Sequence, residues 1–142
     1  MKVCILGSGL SALTLAKALV NKKIYVDIVS SNNNYVINQS RTLGISKSSF
    51  DYFNKYILNI NNISWKVKKI EIFTDNLKNE KILNFENKND QLFSILKNFK
   101  LYEVLKKGLL NTKFCNIKKI KKNFLDFDKY NLIINTDYSS SI

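Results

Sequence analysis

The chain has 142 residues, 45% of them apolar, and a net charge of +12 with no histidine. This size and composition suit one domain with an ordinary core and exclude a disordered chain. A histidine base and histidine metal ligands are excluded, and Cys4 and Cys115 lack the spacing of a zinc or redox motif. Both cysteines are therefore expected to be small buried residues, and no metal site is expected.

The basic charge favours either nucleic acid or an anionic membrane surface as a partner. The lysines are scattered and lack the interleaved aromatic residues of a base-stacking surface, so nucleic acid is not expected. Gly7 interrupts the N-terminal apolar run, which excludes a signal peptide, and apolar runs fall far short of the ~20 residues of a membrane span. A cytoplasmic protein is expected, and peripheral association with a membrane stays open.

The first dozen residues predict a nucleotide-binding turn. An apolar strand at 2–6 leads into the sequence GSGLSA and then into a helix, which matches the pattern GxGxxA. Gly7 permits the tight turn, Gly9 lets the backbone approach a pyrophosphate, and Ala12 allows the helix to pack closely on the strand. The alternative is a glycine turn in another kind of α/β protein.

The helix begins at Leu10 and Ser11, where free backbone N–H groups would face a diphosphate. A second apolar strand at 24–29 is followed by Ser30, at the position where dinucleotide-binding proteins carry an acidic ribose ligand. Ser30 offers one hydrogen bond without the charge. Asp27 lies inside the strand and reaches a ribose only if the register shifts.

An asparagine-rich loop at 30–40 leads to the sequence RTLGIS, which contains the only arginine of the chain. Lysine would satisfy a need for surface charge, so Arg41 indicates planar, bidentate bonding to a phosphate, a carboxylate or a ring. Chance is the alternative. A helix follows at 48–58, with Ser48 as its N-cap.

The next segment predicts a β-hairpin inserted into the α/β frame. Residues 64–73 alternate as a strand, 74–79 form a turn, and 81–85 return as the second strand. The inserted β segment at 63–97 forms either a wall of a substrate pocket or a decoration.

Asn98 precedes a well-patterned helix at 101–110 and is a candidate N-cap. Asp137 follows the last strand and predicts another ligand edge. The remaining strands are predicted at 112–120 and 130–135, with a short hairpin arm at 124–127.

The order of these motifs resembles the N-terminal part of the FAD-dependent aromatic hydroxylases, most closely the ubiquinone-biosynthesis hydroxylases. The matching stretches are 7–12, 41–46, the hairpin, 95–101 and 131–137, and the similarity spans essentially the whole chain. The resemblance implies a Rossmann-like α/β fold and one FAD/NAD(P)-binding domain over 1–142. The segment at 63–97 would belong to a partial substrate domain.

The resemblance also implies roles for individual residues. The glycine turn would bind the FAD diphosphate, Arg41 would lie near the cofactor, and Asn98 would lie near the flavin. Asp137 would belong to a DG fingerprint linked to FAD and NAD(P)H. The implied reaction uses NAD(P)H and oxygen to hydroxylate the activated ring of a small aromatic or polyprenylated substrate.

The sequence departs from this pattern in three ways. Ser30 replaces the acidic ribose ligand, Tyr138 stands where the fingerprint has glycine, and the second, GD-type flavin motif is missing. We therefore expect an N-terminal fragment of a monooxygenase or a shortened relative. A non-catalytic nucleotide-binding or interaction module is the alternative, and a basic nucleic-acid binder is the least favoured hypothesis.

Overall fold

The computed structural model describes residues 1–30, 38–75, 80–119 and 126–137. The predictions for Phe124 and Tyr138, and most of the loop at 30–40, lie outside these ranges. The described strands are β1 (Lys2–Leu6), β2 (Tyr25–Ser30), β3 (Thr42–Ser46), β4 (Ser64–Val67), β5 (Lys69–Phe73), β6 (Lys81–Glu86), β7 (Phe93–Lys97), β8 (Cys115–Lys119) and β9 (Leu132–Asn135). The described α-helices are α1 (Leu10–Asn21), α2 (Lys47–Tyr52) and α3 (Asn98–Leu110).

A parallel sheet forms the centre of the fold. Its described strands follow the order β8-β2-β1-β9, and every neighbouring pair is parallel. The β1–α1–β2 unit at the start of the chain is the predicted βαβ unit. The expected α/β fold is therefore confirmed.

The main core lies between one face of this sheet and helices α1 and α3. Ile5 and Ile28 project from adjacent strands, and they meet Leu13 of α1 together with Leu105 and Leu109 of α3. All five side chains are at most 2% exposed. Each contributes about 1.5–3 kcal/mol relative to an exposed position, so this layer stabilises the fold.

Within the described ranges, no helix has the length and apolar character needed to cross a membrane.

Helices α1 and α3 pack side by side and run in the same direction. Helix α1 leaves the carboxyl end of β1 and returns the chain to the amino end of β2. The segment after α3 also ends at the amino edge, because the carbonyl of Phe114 accepts from the N–H of Val26 at 2.8 Å. A helix of 13 residues spans about 20 Å. Both helices therefore begin near the carboxyl edge of the parallel sheet.

A second, antiparallel sheet has the described order β3-β7-β4, and β5 pairs with β6 as a separate hairpin. The predicted hairpin is confirmed, but the single strand at 64–73 is wrong. The chain changes partner at Lys68: the carbonyl of Val67 accepts from Leu92, and that of Lys68 accepts from Asn87. Periodicity misses this break because the alternation continues on both sides of it.

Two predicted helix starts are corrected. Ser46, not Ser48, is the N-cap of α2, because its hydroxyl accepts from the N–H of Ser49 at 3.2 Å. This helix is followed by a π-helical turn, Phe53–Ile57, in place of one continuous helix to residue 58. Asn98 is not a cap but the first residue of α3, and Lys97 precedes it in an extended conformation.

The last strands are shorter than predicted. Strand β8 begins at Cys115, not at Thr112, and a short 3-10 turn spans Phe127–Lys129, while the first residues of the predicted hairpin arm at 124–127 lie outside the described ranges. Strand β9 is half-buried rather than buried, since β1 is its described neighbour on one side. Cys4 is buried as expected, whereas Cys115 is only half-buried.

The opposite face of the parallel sheet carries a buried ionic cluster around Asp27, whose side chain is 1% exposed. The ammonium groups of Lys118 and Lys2 lie 2.8 and 3.1 Å from Asp27 Oδ2. Tyr130 donates its hydroxyl to the same oxygen at 2.8 Å, and Asn116 donates to Oδ1 at 3.3 Å. The cluster ties together β1, β2, β8 and the segment before β9.

These contacts change the pKa values of the cluster. Burial by itself would raise the pKa of Asp27, but hydrogen bonds from Lys118, Tyr130, Lys2 and Asn116 lower it from 3.8 to about 2. Burial, and then the bond to Asp27, raise the pKa of Tyr130. Asp27 therefore stays ionised and serves as an acceptor for its four donors.

The turn after β1 is closed by contacts with Thr136. The backbone of Gly7 has a φ of +120°, which side-chain-bearing residues rarely adopt. A Cβ at Gly7 would lie 2.5 Å from Thr136 Oγ1. That hydroxyl is held in place because it donates to the carbonyl of Leu6 at 2.8 Å. Glycine is thus required at position 7 by both the backbone and the packing.

We predict that Asp27→Ala lowers the free energy of unfolding by about 2–3 kcal/mol, because it removes the buried carboxylate that accepts from four side-chain donors. The exposed pair Lys47–Asp51 provides a control, and Asp51→Ala should cost less than about 1 kcal/mol. Urea unfolding followed by circular dichroism measures both. Equal losses for the two variants would contradict a stabilising role of the cluster.

The pKa of Asp27 also predicts a pH dependence. Because this pKa is lowered, the stability that Asp27 contributes is complete above about pH 4 and is lost as the pH falls towards 2. Asp27→Asn should remove this part of the acid sensitivity. The unfolding free energies of the parent and the variant between pH 5 and pH 2 test this prediction. Parallel plots of unfolding free energy against pH would contradict it.

We predict that Gly7→Ala lowers the unfolding free energy by about 1–3 kcal/mol, because strain at positive φ adds to the clash with Thr136. The double variant Gly7→Ala with Thr136→Ala should regain the stability lost to the clash but not the stability lost to the backbone strain. Thermal unfolding of the two variants measures the difference. A Gly7→Ala protein as stable as the parent would show that the turn adopts another conformation.

Candidate functional site

The carboxyl edge of the parallel sheet contains the predicted glycine turn. Gly9 precedes α1 in an extended conformation, and no side chain caps the helix. The first turn of α1, which includes Leu10, Ser11 and Ala12, carries no acidic residue. The partial positive charge of these N–H groups is therefore available to an anion, and a diphosphate fits that requirement.

Ser30 lies beside this turn at the end of β2. Its hydroxyl is 3.3 Å from the hydroxyl of Ser8, so the two serines flank the start of α1. Ser30 therefore lies where the sequence predicts the residue that contacts the ribose. Asp27 projects from the opposite face of the sheet into its ionic cluster, so a register shift that would bring it to the ribose does not occur.

Asp137 lies directly against the glycine turn. A Cβ built at Gly7 would be 3.4 Å from the backbone nitrogen of Asp137 and 3.5 Å from its Cβ. That nitrogen donates to Asn135 Oδ1 at 3.0 Å, which holds the chain at the end of β9. Residues from the two ends of the sequence are thus brought together because β1 and β9 are neighbours.

Arg41 and Asn98, which are far apart in sequence, are also brought together. Thr42 pairs with Lys97 in the antiparallel sheet, and the N–H of Asn98 donates to the carbonyl of Arg41 at 3.0 Å. The Arg41 side chain is exposed. Because Asn98 begins α3, this pair lies at the same edge as the start of α1.

The side chain of Asn98 has an unusual environment. Its Oδ1 atom is buried and has no hydrogen-bond partner in the described part of the chain. A buried amide oxygen without a donor costs about 1–3 kcal/mol. The geometry is explained if a bound molecule supplies that donor.

A cavity of about 830 Å³ opens on the outer face of the antiparallel sheet, and its lining includes Thr42 and Lys97, the sequence neighbours of Arg41 and Asn98. We call it the sheet-face cavity. Trp65 and Ile95 form part of its lining, with Lys97 and Lys100 at its rim. Its volume lies within the range of small-molecule sites.

Sequence reasoning missed two residues of the carboxyl edge and one of the sheet-face cavity. Thr136 packs against Gly7, Ser8 meets Ser30, and Trp65 lies exposed in the sheet-face cavity. The position of Thr136 directly after an apolar strand was an available signal. The positions of Ser8 and Trp65 relative to their neighbours depend on strand pairing, which no local pattern specifies.

The side chains of this edge offer little chemistry of their own. The chain contains no histidine, and its half-buried Cys115 has a pKa raised by burial to about 11, so this thiol is not a nucleophile. Redox or group-transfer chemistry at this edge therefore needs a bound cofactor.

No protein-family model matches the sequence, and no curated protein matches it. Solved structures match the fold. The p-nitrophenol 4-monooxygenase PnpA from Pseudomonas putida DLL-E4 matches with a TM-score of 0.67 and 14% identity, over 82% of this chain and 31% of that chain. PqsL, a probable FAD-dependent monooxygenase from Pseudomonas aeruginosa, matches with a TM-score of 0.65 and 14% identity, over 82% and 32%.

The flavin-dependent monooxygenase PieE, solved in complex with FAD and substrate, matches with a TM-score of 0.64 and 11% identity, over 84% of this chain and 24% of that chain. The chain thus spans about a third or less of the length of these enzymes. Identities this low show a shared fold. Over the part that is shared, this chain has the fold of the Rossmann-like, FAD-binding part of these monooxygenases.

Proposed function

We propose that this chain is the FAD-binding, N-terminal part of a FAD-dependent aromatic monooxygenase. One observation carries the proposal: Gly7, Ser30 and Asp137, from three separate segments, lie at the carboxyl edge of one parallel sheet, and Arg41 meets Asn98 at the start of α3, which begins near the same edge. In open α/β sheets this edge is where nucleotides bind.

Two structural details fit FAD. The start of α1 directly after the glycine turn has no side-chain cap and no acidic residue in its first turn, which suits a diphosphate. The buried Asn98 Oδ1 needs an N–H donor, and a flavin ring carries one. The shared fold with flavin-dependent enzymes supports the same cofactor.

Each of these residues would contact a different part of the cofactor. Backbone N–H groups from Gly9 to Ala12 would hold the diphosphate, Ser30 would bond a ribose hydroxyl, and Asp137 would bond a polar group next to Gly7. Arg41 would pair with a phosphate or lie along the ring, since its guanidinium is planar and exposed. Asn98 would orient the flavin through its amide oxygen.

When bound, FAD supplies the electron acceptance and oxygen activation that ring hydroxylation requires. The chain itself contributes binding and orientation. We propose NAD(P)H as the reductant, and the full reaction belongs to a polypeptide that supplies the parts present in the longer monooxygenases.

The inserted segment at 63–97 would contribute to the substrate domain. On the hairpin, Ile70 pairs with Phe85 and Ile72 pairs with Leu83, so one face is wholly apolar. Ile72, Leu83 and Phe85 are 43–49% exposed, which is unusual for a face with no function. We propose that this face contacts further protein in the complete enzyme.

The most specific assignment that we propose for the complete enzyme is a role in ubiquinone biosynthesis.

A second candidate is a nucleotide-binding module without catalytic activity. It is favoured by Ser30, which gives the ribose no charged acceptor. Titration of FAD fluorescence with the purified chain tests the FAD binding on which the first candidate depends. Saturable quenching supports FAD binding, whereas no quenching by a folded chain would overturn the proposal.

We predict that Asn98→Leu weakens FAD binding about tenfold but leaves the apo protein at least as stable as the parent, because it removes a buried oxygen without a partner. Flavin fluorescence and thermal unfolding measure the two effects. A loss of stability without a loss of FAD affinity would assign Asn98 a purely structural role.

We predict that Arg41→Gln weakens FAD binding about tenfold, because a charge-assisted contact is lost, and that Arg41→Lys recovers only part of it. Lys106→Gln is the matched control, since this exposed lysine lies in the middle of α3 and its loss changes the net charge equally. Equal effects of Arg41→Gln and Lys106→Gln would show that only overall charge matters.

A further inference from the structure

The outer face of the antiparallel sheet has no part in the core. Strand register places Trp65 opposite Ile95, and Thr42 opposite Lys97, on this outer face. The alternate residue Leu96 projects the other way and is 2% exposed. Leu96 contributes to the cavity floor from the core side, whereas the side chains of Trp65, Ile95 and Lys97 on the outer face can contact a ligand without loss of core packing.

Trp65 is the dominant apolar group of the cavity. It is the only tryptophan of the chain, and it is 77% exposed. A tryptophan at such exposure contributes little to stability, while its flat ring suits stacking against another ring. Beside it, Ile95 extends the apolar surface.

The rim of the cavity is positively charged. Lys97 and Lys100 belong to the lining, and none of the lining residues is acidic. Lys97 has no ion pair among the described residues, and Lys100 has only a weak one to Glu103 at 3.8 Å, with both side chains more than half exposed. An anionic group at the rim would therefore meet uncompensated charge.

We propose that the sheet-face cavity binds an aromatic ring that carries a carboxylate, with Trp65 stacked on the ring and Lys97 and Lys100 paired with the carboxylate. The inference rests on the proposed function, for which it names the substrate class as aromatic acids in preference to neutral polyprenylated rings. The cavity of about 830 Å³ has room for a ring of this size.

The sole tryptophan allows a direct test on the chain without cofactor. Trp65 emission is titrated with 4-hydroxybenzoate and with its neutral amide, with free tryptophan amide as a correction for light absorption by the ligands. We expect saturable quenching by the acid and about fivefold weaker binding of the amide. Equal binding of the two compounds, or no saturable change with either, overturns the proposal.

Variants locate the site. The double variant Lys97→Met with Lys100→Met should weaken binding of the acid at least about fivefold, whereas Lys106→Met should leave it unchanged. All three lysines are exposed, so the fold is retained. Trp65→Leu should also abolish binding of the acid, measured by the broadening of the ligand NMR signals. Unchanged binding in the double variant or in Trp65→Leu overturns the assignment.

A FAD titration of the same samples separates this inference from the proposed function. Flavin quenching without a response to the acid overturns only the inference. Competition between FAD and the acid for the Trp65 signal shows that the cavity belongs to the cofactor, which also overturns it. Binding of the acid by a chain that does not bind FAD supports the cavity and overturns the FAD assignment.

Discussion

The turn after β1 is the constraint on which the site depends. Gly7 takes a positive φ, and Thr136 occupies the space where its side chain would lie. This close contact exists because β9 pairs directly with β1. The same contact places Asp137 beside the start of α1. One backbone requirement thus positions the uncapped helix and the end of β9 together.

The two faces of the parallel sheet are stabilised by different physics. One face buries aliphatic side chains against α1 and α3, where area removed from water provides the stabilisation. The other face carries Asp27, with four donors around one carboxylate. A buried charge of this kind is specific about its neighbours, because the loss of any donor leaves a desolvated oxygen. The cluster therefore determines how β8 and the segment before β9 meet β2.

The proposed site joins these elements to the antiparallel sheet. Helix α3 follows directly on β7, so the end of that strand positions the first residue of the helix. Arg41 precedes β3, the neighbour of β7, and this pairing brings Arg41 and Asn98 together. Strand pairing therefore joins the backbones of Arg41 and Asn98, and the sheet-face cavity opens on the same antiparallel sheet.

Local sequence patterns were sufficient for the βαβ unit, the glycine turn and the β5–β6 hairpin, because the signals are short-range: a glycine pair, helical spacing and alternation. They also placed Ser30 at the end of β2. Only the tertiary structure decided which strands pair, and thereby the break at Lys68, the cluster around Asp27, and the meeting of Arg41 with Asn98. The physical reason is that register and sheet order depend on contacts between residues distant in sequence, which no local pattern contains.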